Sequence, residues 1–115
     1  MPKKYLLKFR AVNRDTFEAI RSGEKKIETR AATERYRNIR AGDVVVLSCG
    51  KQKFQRAIKS AQHFKSIPAL FKKYKIKEVM PEVKTLKEAE KVYYSYPAYE
   101  EKIKKFGLIA LELEP

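Results

Sequence analysis

The chain has 115 residues, 43% of them hydrophobic, and its 27 Lys and Arg against 14 Asp and Glu give a formal net charge of +13. That length and apolar fraction suit one domain with one core. The single cysteine excludes an intramolecular disulfide framework, and no apolar run approaches the roughly 20 residues of a membrane span.

Charge is the strongest bulk signal. A cationic excess of this size attracts polyanions, and nucleic acid is the most abundant candidate in a cell. A solvated Lys- and Glu-rich surface of the kind found in proteins from hot environments would explain the charged fraction, 36%, but not the imbalance. The opening Met1-Pro2-Lys3-Lys4 leads into a strand-like stretch rather than the apolar core of a signal peptide. One cysteine and no leader point to a reducing, cytoplasmic setting away from membranes.

Tyr5 to Arg10 reads as a strand, with Leu7 and Phe9 on one face and Leu6, Lys8 and Arg10 on the other. Asn13 is a candidate N-cap for the following helix, and Val12 with Phe17 has the spacing of a hydrophobic staple. Ser22-Gly23 ends that helix, Gly23 suiting a left-handed C-terminal position. Lys25 to Arg30 alternates as an extended segment. Lys26, Glu28 and Arg30 should fall on one face, and Lys25, Ile27 and Thr29 on the other.

Residues 31 to 40 are polar, arginine-rich and loop-like. The turn Ala41-Gly42-Asp43 leads into Val44 to Leu47, an apolar run typical of a buried strand. Gly50-Lys51-Gln52 reads as a turn and Lys53 to Phe64 as an alternating strand. Ser66 caps a short helix from Ile67 to about Tyr74. Val79 to Lys84 should be an irregular connector, because Pro81 lacks a donor and restricts Met80. Thr85-Leu86-Lys87-Glu88 is a capping box that opens a helix running to about Tyr94, before Pro97. A short helical piece spans Tyr99 to Lys105, and Leu108 to Leu113 closes the chain as a strand. Strands with helices inserted between them predict an α+β fold, a small, mainly antiparallel β-barrel with three or four helices.

Gly23-Glu24-Lys25-Lys26-Ile27-Glu28-Thr29-Arg30 fits the pattern G-x-K-x-x-E-x-R. The chain resembles the ASCH domain, a branch of the PUA-like superfamily, in this motif and in what surrounds it. A strand and helix precede the motif, the Ala41-Gly42-Asp43 turn leads into an apolar strand, and Tyr96-Pro97 precedes a closing strand. The resemblance implies a PUA-like barrel with a cleft beside the motif strand and RNA, a nucleotide or a nucleoside as partner. Some proteins with this domain resemble amidohydrolases that deacylate N4-acetylcytidine, using a motif lysine, a motif threonine and a later glutamate. Lys25 matches the lysine and Glu82 the glutamate, but Glu28 stands at the threonine position and cannot replace a hydroxyl nucleophile.

Read chemically, Arg30 offers a rigid fork of donors for phosphate or a base edge, and Lys25 a point charge. Glu28 can accept from a base amino group, carry a proton, or orient its cationic neighbours. The plain alternative is a surface ion-pair ladder contributing about 0.2–1 kcal/mol per pair. Arg35, Arg37 and Arg40 in the following loop, with Lys53 and Arg56 on the next hairpin, could rim the same cleft and hold a phosphate backbone. Tyr36 could stack on an unpaired base or cover the core edge. Tyr93, Tyr94, Tyr96 and Tyr99 form a dense aromatic cluster from which one ring could line the cleft.

His63 stands without the neighbouring ligands a metal needs and reads as a surface residue, and Cys49 as a buried small hydrophobe. No phosphate-cradling glycine loop calls for a cofactor. The leading expectation is RNA or nucleotide binding by a monomeric domain. Lys25, Glu28 and Glu82 carry an amidohydrolase alternative, and a ribonuclease remains open.

Overall fold

The computed structural model describes residues 2–115. The chain runs β1 (Lys4–Phe9), a 3-10 turn (Ala11–Asn13), α1 (Arg14–Ser22), β2 (Ile27–Ala31), β3 (Val44–Cys49), β4 (Gln52–Phe64), α2 (Ile67–Lys73), α3 (Ile76–Val79), α4 (Leu86–Ser95), α5 (Tyr99–Phe106) and β5 (Leu108–Leu113). The strands form one sheet in the order β1-β3-β4-β5-β2. β1 pairs with β3 in parallel, and the other three pairings are antiparallel.

β4 shapes this sheet. It is 13 residues long, and its register shifts between Ile58 and Ser60. Gln52 to Ala57 pair with β3, and Ile58 with Ser60 to Phe64 pair with β5. An irregularity of this kind bends a strand and increases its twist, so one strand serves two neighbours and the sheet curls into a half-barrel. The result is the small α+β, mainly antiparallel, barrel-like fold that the sequence implies, consistent with a PUA-like domain.

Two apolar clusters flank the sheet. Leu7, Phe17, Ile20, Val45, Leu47, Ile109 and Leu111 are among the residues of one; Leu70, Val79, Ala89, Tyr93, Ile103, Leu108 and Ala110 are among those of the other. β5 supplies both clusters by alternation, which explains why Leu108 to Leu111 are fully buried. Helices α2 to α5 cover the second cluster. Ser66 Oγ accepts from Ala69 N at 3.2 Å and Thr85 Oγ1 from Glu88 N at 3.1 Å, so both expected caps form.

Three local expectations are corrected. The first helix is not stapled: Val12 is 79% exposed, and Asn13 makes no side-chain capping bond. The 3-10 turn is the reason, since Asn13 N donates to Arg10 O and holds Asn13 at φ −108°, ψ 20° rather than in the extended capping geometry. Among the described residues the α-helices number five, not three or four. The addition, α3, is a single turn closed by Glu78 Oε1 accepting from Lys75 N at 2.9 Å, too short to leave an apolar period. Finally, β2 begins at Ile27, so strand alternation does not reach Lys25 and Lys26. Lys25 is buried and Lys26 exposed, the reverse of the expected grouping of Lys26 with Glu28.

Candidate functional site

Because the sheet curls, its two ends, β1 and β2, come close. Arg30 Nη2 on β2 donates to Lys8 O on β1 at 3.2 Å. A cleft of about 430 Å³ opens beside this junction. Lys8, Phe9, Arg10 and Val12 line one side, Lys25, Glu28, Thr29 and Arg30 the floor, Met80-Pro81-Glu82 a second side, and Tyr93, Tyr96 and Tyr99 a third.

The motif residues form a buried charged triad. Gly23, at φ 89°, ends α1 in the left-handed region and sends Lys25 inward. Lys25 Nζ donates to Ile27 O at 2.6 Å and to Val79 O, and faces Glu28 Oε1 at 3.4 Å. All three ammonium protons therefore have acceptors. Arg30 Nε donates to the other carboxylate oxygen, Glu28 Oε2, at 3.1 Å. The Lys25 and Glu28 side chains are 5% and 6% exposed. Burial holds the Lys25 ammonium below the ordinary lysine value, against the pull of Glu28 and Glu82. Burial also works against the Arg30 charge, but Glu28 and the Tyr36 and Tyr99 phenols outweigh it and hold the guanidinium above its usual value.

Arg30 is fixed by packing as well. Its guanidinium lies 4.8 Å from the Phe9 ring centre and 5.5 Å from that of Tyr36, whose hydroxyl accepts from Nη1 at 3.4 Å. Thr29 Oγ1 and Tyr93 Oη share a hydrogen bond of 2.5 Å, and Tyr99 Oη accepts from Ala31 N at 3.2 Å. Tyr96 packs edge-on between its two neighbours, its ring centre 6.5 Å from that of Tyr93 and 5.2 Å from that of Tyr99. Burial and the nearby Glu28 push the Tyr96 phenol up to about 12 and raise Tyr93 further.

Lys25, Glu28, Arg30 and Glu82 are thus brought together on one cleft, Glu82 as an exposed side chain on a connector whose Met80 and Val83 are buried. The remaining basic candidates are elsewhere. Arg37 and Arg40 line a separate shallow groove with Ser60 and His63, and Arg35 and Lys53 are exposed outside the cleft. Arg56 donates to Arg21 O at 3.1 Å and stacks 4.6 Å above Phe54. The single rim expected of these cations does not form: of the 31–40 loop it is Tyr36 that reaches the β1–β2 junction, while its arginines and the Lys53 and Arg56 side chains lie outside the cleft. Tyr36 lies under Arg30 and packs against the core, the plainer of its two expected roles.

The cations that do line the cleft beside the triad are Lys8 and Arg10. Strand alternation had already placed them on the polar face of β1. What local pattern cannot give is that β1 ends up beside β2, a relation set by the β4 bend. Not one but three of the clustered tyrosines reach the cleft, while Tyr94 is 43% exposed outside it. Among the described residues, no three His, Cys, Asp or Glu side chains gather as a metal site requires, and no helix is long and apolar enough to cross a membrane.

Compared with known proteins, the chain matches no family model and no curated protein. Solved structures do match, among them two that are similar over 97% of this chain. The hypothetical protein PH0355 is 34% identical, with 97% of this chain and 98% of that one covered and a TM-score of 0.82. This chain belongs to the same family as PH0355. Protein PF0455 from Pyrococcus furiosus is similar in the same way, 32% identical over 97% of this chain and 96% of that one, with a TM-score of 0.74. The family likeness therefore extends over the whole half-barrel rather than one motif.

Proposed function

We propose that this chain is an ASCH-type domain that binds RNA or a nucleotide by taking one unstacked base into the β1–β2 cleft. The observation that carries this reading is the Glu28 carboxylate, held at the cleft floor by a cation on each oxygen beneath aromatic walls. A volume of about 430 Å³ falls within the common range for small-ligand sites. Tyr96 and Tyr99 offer apolar ring surface with polar tips, suited to a flat heterocycle. Lys25 does not grip phosphate in this reading, since its protons are spent on Ile27 O, Val79 O and Glu28. Its role is to position the carboxylate. Lys8 and Arg10, exposed at the mouth, meet the backbone phosphate.

Titration of a labelled single-stranded RNA at several salt concentrations tests the proposal. Binding that weakens linearly in log salt, and is weaker in Glu28→Gln, supports it; absence of binding at low salt overturns it.

One observation favours a second reading. Lys25 has a lowered proton affinity and shares the cleft with Glu82, the pair that an amidohydrolase acting on N4-acetylcytidine would use. Glu28 still stands where that chemistry needs a hydroxyl, and the adjacent Thr29 hydroxyl is tied to Tyr93. Incubation with acetylcytidine and chromatography of the products separates the readings, since turnover would move catalysis ahead of binding.

A further inference from the structure

Resting on the base-binding reading, the main chain of β2 narrows which base the cleft takes. In the antiparallel β2–β5 pair, Leu113 N donates to Lys26 O and Ala32 N to Gly107 O, each at 2.9 Å. These two contacts fix the parity of the ladder. Lys26, Glu28, Arg30 and Ala32 direct their main-chain groups at β5, so Ile27, Thr29 and Ala31 direct theirs to the open edge. Three of these edge groups are already used, Ile27 O by Lys25 Nζ, Ala31 N by Tyr99 Oη and Ala31 O by Thr33 N. Between them Thr29 keeps its N–H and C=O on the cleft side, next to the Glu28 side chain.

The floor therefore presents two carboxylate oxygens beside a main-chain donor. Each Glu28 oxygen receives one cation and retains acceptor capacity. A ligand edge matching this array carries two adjacent N–H donors followed by an acceptor. Among the standard bases only guanine presents that order, with its 2-amino group and N1–H beside O6. Cytosine and adenine offer one amino donor next to a ring acceptor, and uracil one ring N–H between two carbonyls.

We propose that the cleft selects guanine: Glu28 accepts from N1–H and the 2-amino group, and Thr29 N–H donates to O6. Lys25 and Arg30 are positioning residues that fix the plane of the carboxylate.

The test compares GMP with IMP, CMP, AMP and UMP on the wild-type chain by calorimetry at low salt. IMP differs from GMP only by the missing 2-amino group. The expected result is GMP bound at least about tenfold more tightly than IMP, the cost of one lost charge-assisted hydrogen bond. Glu28→Gln should bring the two to within about twofold of each other. Because that variant disturbs a buried triad, the wild-type GMP/IMP ratio stands as the deciding measurement without it. Nucleotides that bind with equal GMP and IMP affinity, or with CMP or AMP preferred, overturn guanine selection and leave base binding intact. If no nucleotide binds, both proposals fall.

Discussion

The Lys25 ammonium and the Glu28 carboxylate stand 3.4 Å apart with almost no water on either. Removing the lysine leaves the buried Glu28 with Arg30 as its one cation, and breaking a buried pair in this way costs roughly 3 kcal/mol, the low end of the usual range. Lys25→Met is therefore expected to lower the melting temperature by more than about 10 °C. The double variant Lys25→Met/Glu28→Gln should lose less than the sum of the two single variants, although Arg30 is then left without its carboxylate. Thermal denaturation followed by circular dichroism checks both, and a double variant worse than the sum of the singles would contradict the pairing.

Alkaline stability depends on the tyrosine wall. Burial raises the phenols of Tyr93, Tyr96 and Tyr99, and Tyr96 reaches about 12. A phenol whose folded value is raised holds its proton in the fold after the unfolded chain has lost it. Stability from these groups is complete below the ordinary value of 10 and falls as the pH climbs from there towards 12. Lys25 has the opposite sign: its folded value is lowered, so its contribution improves as the pH rises towards 10.5. Tyr96→Phe should flatten the loss above pH 10, measured by urea denaturation at stepped pH, while tyrosinate absorbance shows the buried phenols ionising late.

Thr29 and Tyr93 share one proton between two buried hydroxyls. Thr29→Val leaves the Tyr93 hydroxyl unsatisfied, an expected loss of about 1–3 kcal/mol. Adding Tyr93→Phe removes the stranded group, so that second substitution should cost much less in the Thr29→Val background than alone. A cycle of four denaturation curves reads this coupling, and simple additivity would contradict it.

Backbone strain gives a prediction of gain. Ala98 sits at φ 60°, the one described non-glycine residue with positive φ, between Pro97 on the cleft and the first turn of α5. The left-handed region costs an L-residue roughly 1–2 kcal/mol. Ala98→Gly should stabilise the chain by up to about 1 kcal/mol, once the extra freedom of glycine in the unfolded state is offset. An unchanged or lower denaturation midpoint would refute this.

Lys8 and Arg10 should dominate the salt dependence of binding. Each phosphate contact removed lowers the slope of log K against log salt by about 0.7 on a single strand. Lys8→Ala/Arg10→Ala is expected to reduce it by about 1.4 on the same basis, whereas Arg37→Ala/Arg40→Ala, on the separate groove, should change it less. The reverse order would place the phosphate path across that groove instead.

Local chemistry made much of this molecule readable. Ser66, Thr85 and Gly23 announce helix ends through bonds within three residues, and the apolar runs of β3 and β5 mark strands that neighbours cover. The failures share a cause. α3 is four residues held by one carboxylate, below the length at which an apolar period shows. The cleft residues Lys8 and Arg10 were visible as the polar face of β1, but their nearness to Glu28 follows from β4 bending at Ile58 and Ser60, far along the chain from either. Arg37 and Arg40 looked like cleft residues because they follow the motif closely in sequence. Adjacency along the chain does not survive a strand that carries its successor to the other side of a sheet.

The contact between Arg30 and Lys8 O joins the two ends of a sheet that lacks a strand between them. One side-chain fork there replaces a ladder of main-chain bonds. That guanidinium is itself held by Glu28, Phe9 and Tyr36, so the seam is fastened by a group that the triad keeps in place. The half-barrel thus has a seam beside the cleft, closed by a side chain rather than by paired strands. Loss of the Glu28 carboxylate would therefore loosen the seam as well as the cleft floor, since one guanidinium is bound to both.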